Sequence, residues 1–442
     1  MSTLETTADE RARQLDRQYV FHSWSAQADL DPIVITGGRG CRVWDDSGHR
    51  YLDFSSQMVN TNIGHQHPRV VAAITEQAQT LCTIAPSTAN LARGEAARRI
   101  AERAPDGLNK VFFTNGGADA VENAIRMARL HTGRDKVLST YRSYHGNTGA
   151  AVVATGDWRR IPNEFARGHV HFHGPFLYRS EFFSDSPEQE TERALAHLER
   201  LVAVEGASSI AAILIESVPG TAGILVPPPG YLAGVREIAD RHGIVLILDE
   251  VMAGFGRTGR WFAFEAHDVV PDLITFAKGV NSGYVPIGGV VIADHIAETF
   301  AHRVFPGGLT YSGHPLAAAS VVATLDAMAD EGIVENAARV GAEVIGPELA
   351  TLAEEFPIIG EVRGAGVFWA LELVTDRASR EPLPAARVAA MRSELAARGL
   401  LAFTVDNRIH VVPPCVVTDD EVGEAMDIYR EVLRDNSEGV VR

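Results

Sequence analysis

The chain has 442 residues, with 57 Asp and Glu against 40 Lys and Arg, a formal net charge of −17. That balance excludes a polyanion as the default partner, because nucleic-acid affinity comes largely from clustered cations that displace phosphate counterions, and no basic stripe is present. Hydrophobic residues at 46% and charged residues at 22% are those of a folded globular chain, its length suggests about two or three domains, and no apolar run reaches the roughly 18 residues of a membrane span.

In chain order, the opening MSTLETTADERAR lacks the apolar core of a signal peptide, so a cytoplasmic chain with no membrane partner is expected. A helix is predicted over 6–19. Short strands at 33–35, 41–44 and 51–54, with the turn Asp45-Asp46-Ser47-Gly48, predict a hairpin meander. From residue 111 onward, apolar runs of strand length at 111–113, 137–138, 210–215, 244–248, 273–276 and 290–292 alternate with helical stretches. Continuous β-branched runs predict strands buried on both faces, the mark of a mostly parallel sheet in an α/β fold. Val121, Ala124, Ile125 and Ala128 share one helical face, which places a helix over 118–130, ending before Gly133. The polar insertion 180–200 predicts a solvated helix starting at Ser186-Pro187. Helices and short strands alternate beyond 331, among them 408–412 before Pro413-Pro414. Residues 1–60 and 331–442 are read as a smaller α+β domain, and 61–330 as the large α/β domain. Cys41, Cys82 and Cys415 are scattered and read as small core residues in a reducing compartment.

Three of the buried strands run into an ionisable residue: 210–215 into Glu216, 244–248 into Asp249, and 273–276, after one alanine, into Lys278. Ligands of open parallel sheets bind beyond the carboxyl ends of the strands, so these three groups can converge. Asp249, partly desolvated, needs a cationic partner or several donors; a protonated ring nitrogen would serve, and so would the N–H groups of a nearby loop. Lys278 is either a lysine of lowered pKa, able to form a Schiff base with an aldehyde, or an exposed turn residue. The loop Thr114-Asn115-Gly116-Gly117-Ala118 leads from a strand into a helix and is either a phosphate cradle or a tight turn.

Two other patterns carry less. Gly254 to Gly259 matches G-x-G-x-x-G, yet it begins several residues after its strand, precedes no amphipathic helix and has no acidic residue about 20 positions on, so it does not predict dinucleotide binding. The pairs His65/His67 and His171/His173 lack a third ligand nearby, and no metal site is predicted.

Taken together, the segments DEVMAGFGRTGRWFAFE, FAKGVNSGYVPIGGVV and LTYSGHPLAAA, with YLDFSSQMVNTNIGHQHP and RSYHGNTGA before them, resemble the successive signatures of the class III (omega) aminotransferases. These enzymes use pyridoxal 5'-phosphate on the fold-type-I scaffold. The resemblance implies a seven-stranded, mostly parallel sheet and a homodimer with active sites at the interface. It implies that Lys278, 29 residues after Asp249, holds the cofactor and shuttles protons. By the same resemblance Asp249 pairs with the pyridinium nitrogen, Tyr144 stacks on one ring face and Val251 on the other, His145 belongs to the cofactor-binding residues, and the backbone of Gly117 and Ala118 holds the phosphate. Thr310 would reach the phosphate of the neighbouring subunit, and Glu216 would lie near the cofactor and the substrate end. Met58, Val59 and Phe403 would form substrate walls. Arg408 is a candidate for the substrate carboxylate, since Phe403 occupies the place where many relatives carry an arginine. Departures are Ala118 and Asp119 where the family has Ser/Thr then Glu, Gly116 for a serine, and Ser217 for a proline. FHSWSAQ and FSSQMVN look most similar to pyruvate-dependent ω-aminotransferases of the taurine and β-alanine type. The implied reaction is ping-pong transfer of an amino group from a primary amine or ω-amino acid to a keto acid, pyruvate, through pyridoxamine phosphate. An aminomutase, epimerase or decarboxylase on the same scaffold is the alternative.

Overall fold

The computed structural model describes residues 8–164 and 166–437. A helix over Ala8–Tyr19 matches the predicted one, whose first two residues lie outside the described part. Strands β1 (Ile35–Arg39), β2 (Arg42–Asp45) and β3 (Arg50–Asp53) form the antiparallel meander. The first begins later than the expected 33–35. Its Thr36-Gly37-Gly38 stretch, loop-like in composition, stays extended because the Trp44 indole lies against Gly37, where a Cβ would sit 2.6 Å from Nε1.

The central sheet holds β4 (Lys110–Thr114), β5 (Lys136–Thr140), β6 (His169–Phe172), β7 (Ile210–Glu216), β8 (Val245–Asp249), β9 (Leu273–Phe276) and β10 (Gly288–Ile292) in the order β4-β10-β9-β8-β7-β5-β6. Only β10 is antiparallel to its neighbours. Every residue of β7 and β8 is buried, which is why their sequence is an unbroken apolar run rather than an alternation. β6 carries no such run: it is His-Val-His-Phe, and the H-x-H spacing is the two-residue period of a strand. The His171 ring stacks on Tyr141 and its Nε2 lies 3.0 Å from the Thr155 carbonyl.

The helix Gly117–Thr132 buries Val121, Ala124, Ile125 and Ala128 against β10, β9 and β7 and stops at Gly133. The helix Pro187–Glu205 starts at the Ser186 cap as expected, but only one side of it is solvated. Glu190, Ala194, Leu198 and Val202, four residues apart, are buried, so the polar composition concealed a packing stripe.

The C-terminal part adds β11 (Ile359–Ala365), β12 (Phe368–Asp376), β13 (Glu381–Pro382), β14 (Leu400–Leu401), β15 (Phe403–Val405) and β16 (Arg408–Val411). A second sheet runs β11-β12-β16-β15, with β13 on β12, while β14 joins the N-terminal meander parallel to β3. The Gly254–Gly259 stretch is a corner that ties these parts together: the fully buried Arg257 donates to the Val367 and Pro413 carbonyls, Ser56 Oγ and Asn62 Oδ1. Cys41 and Cys415 are core residues, but Cys82, just past the helix Pro68–Thr80, is exposed and corrects the reading of all three as buried. Among the described residues no helix is long and apolar enough to cross a membrane.

Candidate active site

The parallel register brings the strand-end residues side by side. Glu216 of β7 pairs with Asp249 of β8, and Asp249 with Thr275 of β9, at the roughly 4.8 Å spacing of neighbouring strands. Two residues past β9, Lys278 turns at φ +41, a left-handed conformation unusual for lysine, which makes it a point of local backbone strain. Its amine makes no hydrogen bond or ion pair with the described residues. Loss of solvation lowers its pKa to about 8, against the pull of Glu216 and Asp249, and Arg257 and Arg159 push the same way. This is an amine with a useful unprotonated fraction near neutral pH rather than an exposed turn lysine.

Asp249 is 3% exposed. Its Oδ1 accepts the Val251 N–H at 3.0 Å and its Oδ2 lies 2.7 Å from His145 Nδ1. A carboxylate can only accept, so His145 donates from Nδ1, and its buried Nε2 has no partner among the described residues. Glu216 accepts the N–H groups of Tyr144 at 2.9 Å and Gly220 at 2.8 Å. Burial raises its pKa to about 7, the nearby Asp249 adding to the rise.

At the other end of this group, Gly116 is extended and caps the helix Gly117–Thr132 with no side chain, so the first N–H groups stay free at the positive end of the helix dipole. Val251 closes in on Gly117: a Cβ there would lie 2.9 Å from its Cγ1. Ala118, where the resembled family has a hydroxyl, abuts Gly146, where a Cβ would lie 2.5 Å from the Ala118 methyl. These groups fit pyridoxal 5'-phosphate: an amine of lowered basicity for its aldehyde, a buried carboxylate for its ring nitrogen, and free helix N–H groups for its phosphate.

A cleft of about 410 Å³ opens beside this group and is lined by Trp24, Met58, Arg159, Thr221, Phe403 and Arg408, among others. The Arg159 guanidinium lies 3.7 Å from the centre of the Tyr144 ring, gripped by Asp157 through both Nε and Nη2, and Trp24 meets the same ring edge-on at 6.5 Å. The Arg408 guanidinium reaches Asp406 at 2.6 Å, leaving a buried Nε with no partner among the described residues. Of the residues read from the sequence, Met58, Phe403 and Arg408 line the cleft. Val59 is 1% exposed and packs behind it with Val218, Ile224 and Phe368, outside the lining. Thr310 lies on an exposed loop, which Ser312 Oγ anchors to the Phe113 carbonyl at the end of β4. Arg159 and Trp24 were missed. Nothing in GDWRRIP separates Arg159, which turns into the cleft, from Arg160, which lies over Tyr141; for Trp24 the only signal is the FHSWSAQ likeness.

The profile of the class-III aminotransferases matches residues 24–433. The chain belongs to the class-III aminotransferases. It is 36% identical to the acetylornithine aminotransferase of Methanopyrus kandleri, over 96% of this chain and 99% of that one. It is 33% identical to the putrescine–pyruvate aminotransferase of Pseudomonas aeruginosa, over 92% of each. The structure of a taurine:2-oxoglutarate aminotransferase from Bifidobacterium kashiwanohense, solved with PLP and glutamate, superposes with a TM-score of 0.95 at 39% identity, covering 99% of this chain and 100% of that one. This class-III enzyme is therefore a pyridoxal-phosphate-dependent transaminase of fold type I, and it transfers an amino group to a keto acid.

Proposed function

We propose that this class-III aminotransferase takes the amino group of a small ω-amino acid, with a carboxylate or sulfonate at its far end, and delivers it to pyruvate. The observation that carries this reading is Arg159. It is the cation whose guanidinium sits on Tyr144 inside the cleft, and it is close enough to Lys278 for its field to help lower the lysine pKa. A substrate whose amine reaches Lys278 would set its acidic end against Arg159, with Arg408, which lines the same cleft, as a second cation. The names of the relatives support the class of donor, since one uses taurine and another passes an amine to pyruvate.

When bound, pyridoxal 5'-phosphate supplies an electron sink for the carbon that loses its proton. Lys278 is read as the base that takes that proton and the acid that returns it, Asp249 as the carboxylate facing the ring nitrogen, and His145 as the group that orients Asp249. Tyr144 and Val251 are assigned to the two ring faces, and the free N–H groups of Gly117 and Ala118 to the phosphate. Arg159→Ala is expected to raise KM for taurine and β-alanine by about 10- to 100-fold, the range set by loss of a charge-assisted hydrogen bond. KM for an amine with a neutral tail, such as 1-phenylethylamine, should stay within about threefold. Equal losses for both donors would show that Arg159 does not read the acidic end.

The enzyme is further read as a homodimer in the cytoplasm. Phe21, Leu91, Val304 and Tyr311, 85%, 80%, 86% and 60% exposed, leave apolar surface that a second copy would cover, and Thr310 lies on the same loop as Tyr311. Its free cysteines suit a reducing compartment. Sedimentation of the holoenzyme is expected to give twice the mass of the chain, and a fully active monomer would overturn the reading.

A further inference from the structure

Glu216 is buried, ends β7, and touches no cation among the described residues: its two oxygens are taken by two backbone N–H groups from different loops. Oε1 holds Tyr144, the residue beneath Arg159. Oε2 holds Gly220, which precedes the cleft residues Thr221 and Ala222. Met252 packs over Gly220, where a Cβ would collide with its Sδ, and three residues on the Gly223 carbonyl is gripped by Arg363 Nε at 2.7 Å. One carboxyl group therefore links the Ser143–Tyr144 segment to the Gly220–Ala222 segment, each of which contributes residues to the cleft lining.

We propose that Glu216 is a positioning residue that ties the two walls of the substrate cleft together, and that the tie is complete only while its carboxyl group is ionised. A carboxylate offers acceptor lone pairs on both oxygens. Protonation turns one oxygen into a hydroxyl that must itself donate and accepts poorly, so one of the two N–H groups loses its partner. The charged and titratable groups around Glu216 are His145, Asp249 and Lys278 on the cofactor side, and Tyr141, Arg142, His173, Glu181 and Tyr231 around the apolar pocket on its other side. Burial holds the Glu216 carboxyl near pH 7, so protonation is within reach of ordinary conditions. The sign follows: the walls are joined above that pH and loosened below it.

The inference rests on the proposed use of this cleft by the amine donor. Glu216→Gln in the holoenzyme, an isostere of the neutral acid, is expected to keep its cofactor and to raise KM for taurine or β-alanine about tenfold, with a smaller change in kcat. The wild-type enzyme should lose affinity for the donor as pH falls through about 7, and Glu216→Gln should show no such step. Difference infrared spectra should show a buried carboxyl group titrating in that range in the wild type and missing from the variant. A variant with wild-type KM and an unchanged pH profile would overturn the proposal. If Glu216→Gln does not fold, a donor KM of the wild type that is flat from about pH 6 to 8 overturns it, and a falling limb matched by an infrared titration that persists in Glu250→Gln, which removes the other buried carboxyl group held near 7, supports it. A wild type that reacts with no donor at all would instead sink the substrate reading on which the inference stands.

Discussion

Lys278→Ala is expected to lower turnover by about 10⁴-fold or more and to remove the visible absorbance of the lysine-linked cofactor. No other amine can take its place. Lys278 is the residue that the turn after β9 projects at φ +41 among Glu216, Asp249 and Arg159, and the nearest cations are guanidinium groups, which do not give up a proton. Both roles assigned to it, covalent attachment and proton transfer, end together, so the loss should be close to complete and not a partial rise in KM. Retention of the absorbance band, or turnover within tenfold of wild type, would remove Lys278 from the chemistry.

Asp249→Asn is the second large effect, and it should separate cofactor binding from reactivity. The substitution keeps the shape and can keep the bond from the Val251 N–H, but its amide turns an N–H₂ toward His145 or toward the cofactor ring. The free helix N–H groups at Gly117 and the Lys278 amine are untouched, so the cofactor should remain bound. What is lost is a buried negative charge held in place before the reaction begins. Removing one preorganised electrostatic group costs about 10² to 10³ in kcat. Spectral titration with cofactor, followed by single-turnover rates, checks both halves of this expectation; a variant that binds normally and reacts at the wild-type rate would refute the pairing of Asp249 with the ring.

Much of this site was legible in the sequence because sheets covered on both faces leave an unmistakable trace. β7, β8 and β9 are buried along their whole length and carry no ionisable side chain before the carboxyl end, so the first ionisable residue at or past the end of each run marks the edge of the crevice, and Glu216, Asp249 and Lys278 followed directly. β6, which is His-Val-His-Phe and carries no apolar run, was invisible for the converse reason. The pairing of His145 with Asp249 joins positions 104 residues apart and has no local signal. Around the substrate the failure has a different origin. Ser56, Gln57 and Val59 all have positive φ, which breaks the alternation that would have told Met58 from Val59, so the sequence named both as wall residues while only Met58 lines the cleft. Arg159 likewise turns inward through its short helical turn, where Asp157 caps the Arg159 N–H and grips its guanidinium. Which way a side chain points from such a turn is decided by contacts that a linear reading does not contain.

The most direct test of the amino-transfer account is a half-reaction. Purified holoenzyme mixed with taurine or β-alanine, with no keto acid present, should bleach stoichiometrically as its cofactor passes to pyridoxamine phosphate, and pyruvate added afterwards should restore the original spectrum with release of alanine. An unchanged spectrum with taurine, β-alanine, 4-aminobutyrate, aromatic amines and diamines alike would contradict it.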